Sequence, residues 1–247
     1  MALWQYFLLF SSVLLGGYAA TAGSHERYRR YLPLMLSFSG AYVLGIAALE
    51  MIPEVFGHAT GTIGLWLLGG FFTQLVLEGF SQGVEHGHVH ANEHAGRAYA
   101  LQVMLGLGLH AFLEGLPLGA GGIAHDLHAG HGHGGADRLL FGIVLHKLPA
   151  AFALALLLTT SGYSRRFVWG CLLTFAVLSP LGALVGNWIS LDHLWRDRIL
   201  ALVVGSFLHI STTILFEADG ARSHGISPRK FAVIITGMAV AYLTVRV

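Results

Sequence analysis

Two stretches decide the fold: residues 98–121, AYALQVMLGLGLHAFLEGLPLGAG, and residues 138–160, RLLFGIVLHKLPAAFALALLLTT. Each is apolar over a length that can cross the core of a bilayer, which takes about 20 residues of helix. Each also carries ionisable side chains near its middle, His110 and Glu114 in the first and His146 in the second. A charge at that depth costs at least about 2.5 kcal/mol on insertion scales. These side chains therefore predict a buried polar site inside a helical membrane protein.

The composition of the whole chain agrees with a membrane protein. Its 247 residues are 55% hydrophobic and 11% charged, whereas soluble domains contain about 25% charged residues. The formal net charge is +1, so a broad basic surface for nucleic acid is not expected. The lone cysteine, Cys171, cannot form an internal disulfide and is expected to be a small core residue.

Six further apolar stretches are long enough to span a bilayer, and the loops between them leave no room for a separate soluble domain. We therefore predict an all-α integral membrane protein with eight transmembrane helices in a single domain, residues 1–247. The first stretch is interpreted as a span and not a signal peptide, because no basic residue precedes it. The predicted spans are residues 2–22, 33–54, 62–81, 98–121, 138–160, 166–187, 197–217 and 228–246.

The distribution of basic residues predicts the orientation. Most Arg and Lys residues outside the spans lie in the loops that follow spans 1, 3, 5 and 7, and cytoplasmic loops carry the excess of Lys and Arg. Both termini are therefore expected on the extracytoplasmic side. Histidines are concentrated in a predicted cytoplasmic loop, residues 86–94, and in a predicted outer loop, residues 125–133. Such tracts are typical either of weak metal binding or of a solvated loop.

The buried ionisable residues of spans 4 and 5 have the chemistry of metal ligands. His110 and Glu114 are four residues apart, so they share one helix face. Imidazole and carboxylate groups both bind Zn²⁺ and similar ions. Pro117 lies three residues after Glu114, and Pro149 lies three residues after His146. Each proline removes one helical hydrogen bond. Irregular backbone at this depth is tolerated where it lines a cavity, so a metal site near mid-membrane is predicted.

Other ionisable residues lie nearer the ends of the spans. Glu50, near the outer end of span 2, is interpreted as an entrance ligand or a pairing residue. Glu78, near the inner end of span 3, is interpreted as an exit ligand or an interfacial residue. Glu54 is expected at the interface, and His209 in span 7 is interpreted as a helix–helix contact and not a ligand.

Several stretches together resemble the ZIP family of metal-ion transporters. HAFLEGLPLG, residues 110–119, is similar to that family's fourth-helix signature, and LHKLPAAFALAL, residues 145–156, is similar to its fifth. Residues 47–54, 178–186 and 205–209 are similar to parts of its second, sixth and seventh helices. The family commonly has an aromatic residue at the position of His209. The resemblance covers almost the whole chain and implies a ZIP-like helix bundle.

The resemblance implies import of zinc or a similar divalent ion toward the cytoplasm, by a protein that is not an enzyme and uses no cofactor. By position, His110 and Glu114 match the metal ligands of the fourth helix, and His146 matches the first ligand position of the fifth. Nitrogen and oxygen ligands without thiolate suit Zn²⁺, with Cd²⁺, Fe²⁺, Mn²⁺ and Co²⁺ as competitors. The expected partners are the ion, the bilayer and a second copy in a homodimer. The expected location is the plasma or inner membrane, with an organellar membrane as the alternative.

The chain departs from the family where a second metal ion is often held. The ligands of that ion would fall at Ala111, Lys147 and Ser179, and an acid often found at Ala150 is also missing. A protonated ammonium cannot bind a cation, so Lys147 is expected to take the place of the second ion and to neutralise Glu114. A site for one metal ion is therefore predicted. The alternative is that Lys147 snorkels or pairs elsewhere.

Two other classes of function are compatible with buried His and Glu ligands: a metal-dependent hydrolase, and a metal exporter or metal-sensing receptor. An intramembrane zinc hydrolase would hold a catalytic ion with an open position for water. The spacing here is His-x₃-Glu instead of HExxH, and no serine nucleophile or second acid is evident. An exporter would use the same ligands in the opposite direction, so the direction of transport rests on the resemblance alone.

Overall fold

A computed structural model describes residues 1–22, 25–57, 61–87, 96–119, 134–188, 193–217 and 227–246. These residues form helices and turns without a strand. A π-helical turn, Ala47–Met51, joins α2 to α3, and one turn of 3₁₀ helix, Val84–His86, follows α4. The helices are α1 (Leu3–Ala22), α2 (His25–Ile46), α3 (Ile52–Gly57), α4 (Ile63–Ser81), α5 (Arg97–Gly119), α6 (Gly134–Thr160), α7 (Arg165–Trp188), α8 (His193–Glu217) and α9 (Pro228–Arg246).

Eight helical segments within the described ranges are long and apolar enough to cross a membrane. Each lies within a few residues of a predicted span, and the second combines most of α2 with the π-helical turn and α3. The prediction of an all-α, multi-pass membrane protein is confirmed. Most of the two histidine tracts, residues 88–95 and 120–133, lies outside the described residues. The segments are Leu3–Ala22, Tyr31–Gly57, Ile63–Ser81, Arg97–Gly119, Asp137–Thr160, Arg165–Trp188, Leu194–Phe216 and Pro228–Arg246.

The spans differ in how much of their surface is covered by the rest of the protein. The buried share of the span is 78% for α6 and 72% for α8, but 22% for α4 and 17% for α9. Large apolar side chains on α4, such as Leu65 and Phe72, are more than half exposed, as expected of a helix that faces lipid. Helices α6 and α8 therefore form the centre of the bundle, where a polar site is shielded from lipid.

Four pairs of helices pack closely: α5 with α7, α4 with α8, α1 with α6, and α2 with α9. In each pair a glycine lies directly against a backbone carbonyl of the partner helix, so that a Cβ atom would collide with it. Small residues allow this close approach in membrane helices. The contacts join Gly16 to Leu148, Gly70 to Leu202, Gly115 to Ser179 and Gly237 to Phe38.

The turn after α4 returns two ionisable side chains to the interior of the bundle. Gln82, Gly83 and Gly87 have φ angles of 58°, 69° and 85°, in the left-handed region that commonly ends a helix. Between them lie Glu85 and His86, which are 0% and 4% exposed. His86 therefore belongs to the packed bundle and not to a solvated loop.

Candidate metal-binding sites

The structure places His110 and Glu114 of α5 next to each other and His146 of α6 nearby, and we call these residues the core trio. Unlike the second group described below, the three do not offer ligand atoms that all lie within 4.8 Å of one another. Their exposed fractions are 2%, 2% and 4%. His110 Nε2 lies 3.4 Å from Glu114 Oε2, and the rings of His110 and His146 are 6.2 Å apart between centroids. Zinc–ligand bond lengths put two ligand atoms of a tetrahedral ion about 3.4 Å apart. The spacing of His110 and Glu114 therefore fits two ligands of one ion.

Several ligand atoms of the core trio have no hydrogen-bond partner. They are His110 Nε2, Glu114 Oε2 and both ring nitrogens of His146. Nearly all buried polar atoms in proteins are hydrogen-bonded. Neighbouring unpaired nitrogen and oxygen atoms are therefore better explained by cation binding than by packing alone.

Lys147 and Ser179 contact the other carboxylate oxygen of Glu114. Lys147 Nζ lies 2.5 Å from Glu114 Oε1. The Ser179 hydroxyl lies 2.9 Å from the same oxygen and 2.6 Å from the carbonyl oxygen of Ala111. Glu114 thus directs Oε1 toward the ammonium and Oε2 toward His110. The cation beside Oε1 is thus the ammonium of Lys147.

The far side of the His110 ring is held by an amide. Gln74 Nε2 donates to Glu85 Oε2 at 2.9 Å, which turns Gln74 Oε1 toward His110 Nδ1 at 3.0 Å and toward the donating Ser206 hydroxyl at 2.9 Å. An amide oxygen only accepts, so Nδ1 must carry the proton. The lone pair of Nε2 then faces Glu114, which is the tautomer that binds a metal.

A second group of ligands lies beside the turn after α4. One ligand atom each from Glu78 of α4, His86 of the turn and His209 of α8 lie within 4.8 Å of one another. Glu78 Oε1 is 3.4 Å from His86 Nε2, and Glu78 Oε2 is 2.5 Å from His209 Nε2. His209 does contact another helix, as predicted, but through the side chain that was interpreted as an exit ligand. We call these three residues the inner triad.

Glu50 lies at the π-helical turn and pairs with Arg138 of α6, with Glu50 Oε1 and Arg138 Nη1 2.8 Å apart. Both side chains are about one-fifth exposed. The pairing alternative considered for Glu50 is therefore present in the structure. An ion that used this carboxylate would have to compete with a guanidinium for it.

Sequence reasoning missed Gln74 and Glu85. A signal was available for Gln74, because it is a polar residue inside a span and lies four residues before Glu78, on the same helix face. Glu85 lies beyond the end of the predicted span, and its burial depends on the left-handed turn around it. The glycines at 83 and 87 were the available sign of that turn.

Comparisons with known proteins agree with the metal-ligand chemistry of the core trio and the inner triad. The family model described as ZIP Zinc transporter matches residues 83–244. The chain is 27% identical over 178 residues to zinc transporter ZIP9 of Xenopus tropicalis. This alignment covers 67% of the chain and 55% of that protein. It is 33% identical over 85 residues to zinc transporter SLC39A7 of Rattus norvegicus, covering 27% of the chain and 18% of that protein. The chain thus spans about half the length of the ZIP9 relatives that it matches.

Proposed function

This chain belongs to the ZIP zinc transporter family, and from that premise we propose that it carries Zn²⁺ or a similar divalent ion across the membrane through His110, Glu114 and His146. The observation that carries the proposal is the core trio itself. Two of its side chains, His110 and Glu114, already lie at the spacing of two zinc ligands, and all three are buried with nitrogen and oxygen atoms that have no hydrogen-bond partner.

The proposed path runs from Glu50 through the core trio to Glu78, toward the cytoplasm. The ion enters at the π-helical turn, where Glu50 is partly exposed, and loses water as it reaches His110 and Glu114. It leaves past Glu78, whose side chain is 19% exposed. The excess of basic residues in the loops after spans 1, 3, 5 and 7 supports this orientation.

We propose that the core holds one ion at a time. Lys147 and Ser179 already engage one oxygen of Glu114, and Ala111 has no ligand atom in its side chain. An ammonium beside that oxygen repels a second cation and also offsets the cost of burying the carboxylate. The nitrogen and oxygen ligands admit Cd²⁺, Fe²⁺, Mn²⁺ and Co²⁺ as competitors of Zn²⁺.

Residues 1–247 are proposed to act as one transport domain, since helices distant in sequence, such as α1 and α6, pack together. We place the protein in the plasma or inner membrane, as a homodimer.

Hydrolase activity is the weaker alternative. A hydrolase needs a free general base beside the metal-bound water, but the acid of the core trio, Glu114, is engaged by Lys147 and Ser179. Export remains the alternative for direction.

The test is zinc uptake by purified protein in liposomes of known orientation. We expect His110→Ala, Glu114→Gln and His146→Ala to reduce uptake to the level of protein-free liposomes. Gln102→Ala, at an exposed position on the same helix as His110, is the matched control and should transport normally. Normal uptake by folded His110→Ala and Glu114→Gln proteins would refute the site assignment, and counterflow in both orientations decides between import and export.

A further inference from the structure

We propose that the inner triad, Glu78, His86 and His209, is a second binding site for a zinc-like divalent cation, separate from the core trio. The proposal relies on the proposed function for the class of ion. Occupancy of the inner triad is a property of equilibrium binding, so it can be measured independently of transport.

The geometry of the inner triad is close to that of a metal site. Its three ligands come from three different elements, α4, the turn after it and α8, and their ligand atoms lie within 4.8 Å of one another. The 3.4 Å between Glu78 Oε1 and His86 Nε2 equals the separation of about 3.4 Å between two ligands of tetrahedral zinc. The shorter contact between Glu78 and His209 has to lengthen by about 0.9 Å on the same reasoning.

His86 supplies a second, independent observation. Its side chain is 1% exposed, and neither of its ring nitrogens has a hydrogen-bond partner. Its Nε2 nevertheless faces the Glu78 carboxylate. A buried imidazole normally satisfies at least one nitrogen, so a cation held between His86 and Glu78 would supply the missing interaction.

His209 is held in place for this role by its neighbours. The Phe71 ring meets the His209 ring edge-on, with centroids 4.9 Å apart and planes at 89°. An aromatic residue without ring nitrogens at position 209 could pack against Phe71 in the same way. A histidine at this position therefore adds a ligand atom to packing that does not require one.

The ligand set suits an ion that is held and then released. Two neutral histidines and one carboxylate leave at least one position of a tetrahedral ion for water, as in zinc sites that exchange ligands, whereas closed structural sites use four protein ligands. Glu78 is the most exposed member of the inner triad, at 19%. The ion would therefore reach or leave the site on the side of Glu78.

The turn after α4 connects the inner triad to the core trio. His86 belongs to the inner triad, while the preceding residue, Glu85, accepts a hydrogen bond from Gln74, which in turn contacts His110. Two adjacent residues thus serve two sites. A shift of the turn on metal binding by His86 would be passed through Glu85 and Gln74 to the ring of His110.

The proposal is tested by counting bound metal in the full-length protein, purified in nanodiscs, with Co²⁺ as a spectroscopic probe and Zn²⁺ in equilibrium dialysis. The histidine tracts would add weak metal sites. The background variant therefore keeps His86 and replaces the remaining histidines of both tracts with glutamine. We expect this background protein to bind two ions per chain. The replaced residues are His88, His90, His94, His125, His128, His131 and His133.

Single variants in that background assign the two ions. His209→Phe keeps the ring against Phe71 and removes the nitrogens, and Glu78→Gln keeps the shape and removes the charge. Each should lower the stoichiometry from two to one and remove one component of the Co²⁺ spectrum. Thr212→Val is the matched control, because among the described residues its hydroxyl donates to the backbone carbonyls of Leu208 and His209 in its own helix and not to a ligand atom. His110→Ala should remove the other ion.

The outcomes separate this proposal from the proposed function. Stoichiometry and spectrum unchanged by both His209→Phe and Glu78→Gln would overturn the inner site, whether or not zinc is transported. Loss of one ion in these variants, with no zinc uptake by the parent protein, would support the inner site and reject transport. If His209→Phe does not fold, the isosteric Glu78→Gln variant decides.

Discussion

Lys147 Nζ lies 2.5 Å from Glu114 Oε1, and both side chains are 1% exposed. A divalent ion bound by Glu114 must therefore share this carboxylate with an ammonium or displace it. Since both charges are buried, removing one leaves the other without compensation, which costs about 3–5 kcal/mol in comparable pairs. Loss of either partner would thus destabilise the bundle, while the ammonium opposes metal binding at the same carboxylate.

Lys147→Met is expected to destabilise the metal-free protein by about 3–5 kcal/mol and to tighten zinc binding at least about tenfold, or 1.4 kcal/mol. The metal ion would then be the only cation beside Glu114. Thermal unfolding with and without zinc, together with a competition titration, measures both effects. The double variant Lys147→Met/Glu114→Gln should recover much of the lost stability, since the two sites are coupled. Unchanged stability in the single variant would contradict this view of the pair.

Gln74→Ala is expected to weaken zinc binding by about 10- to 100-fold, the range found when a partner that orients a metal-binding histidine is removed. The amide oxygen of Gln74 fixes the proton on Nδ1 of His110. Removing this oxygen allows the other tautomer of His110 to form. A zinc titration measures the effect. Thr73→Val, at the exposed neighbouring position of α4, should bind zinc normally. Equal affinities for the two variants would show that Gln74 does not orient the ligand.

Acidification is expected to reduce zinc uptake. His110, His146 and Glu114 bind the ion only when their ligand atoms are deprotonated. Affinity is therefore present at the higher pH and lost as protons compete, and histidine commonly changes charge between about pH 5 and 8. Uptake measured at equal free zinc across that range should rise with pH. Higher uptake at the acidic end would indicate that protonation drives a different step.

Gly115→Ala is expected to lower both stability and uptake. The added Cβ would meet the Ser179 carbonyl and force α5 away from α7, and overpacking of this kind costs about 1–3 kcal/mol. The separation would also move the Ser179 hydroxyl away from Glu114. Gly170→Ala is the control, because a Cβ there meets no atom within 4 Å. Thermal unfolding and zinc uptake of the two variants, measured in parallel, should differ clearly.

The sequence predicted the spans well, because hydropathy over about 20 residues reports the length of helix that a bilayer requires. That Lys147 takes the place of a second metal ion stays a prediction, and the structure shows its ammonium beside Glu114 Oε1. Hydropathy contains no information on which helices are neighbours. The meeting of Glu78 with His209, which are 131 residues apart, and of Glu50 with Arg138 therefore could not be deduced.

The fold-back of residues 82–87 was the least predictable feature. Glu85 and His86 follow a span and precede a histidine-rich tract, a context that is typical of solvated chain. Their burial depends on the backbone conformation of Gln82 and two glycines. Left-handed conformation at a residue other than glycine, such as Gln82, is uncommon and leaves little trace in sequence patterns.

The close glycine contacts have a consequence for motion. Helices joined at the backbone, α5 with α7 and α1 with α6, resist sliding within a pair. Gly106 joins α5 to α4 in the same way, so rearrangement is easiest between the α5–α7 pair and the α1–α6 pair. The core trio bridges two such units, because His146 belongs to α6 while His110 and Glu114 belong to α5. Glu78 and His209 instead lie within one unit, α4 with α8. A rigid-body displacement between these pairs would thus move His146 away from His110 and Glu114. It would leave Glu78 and His209 of the inner triad next to each other.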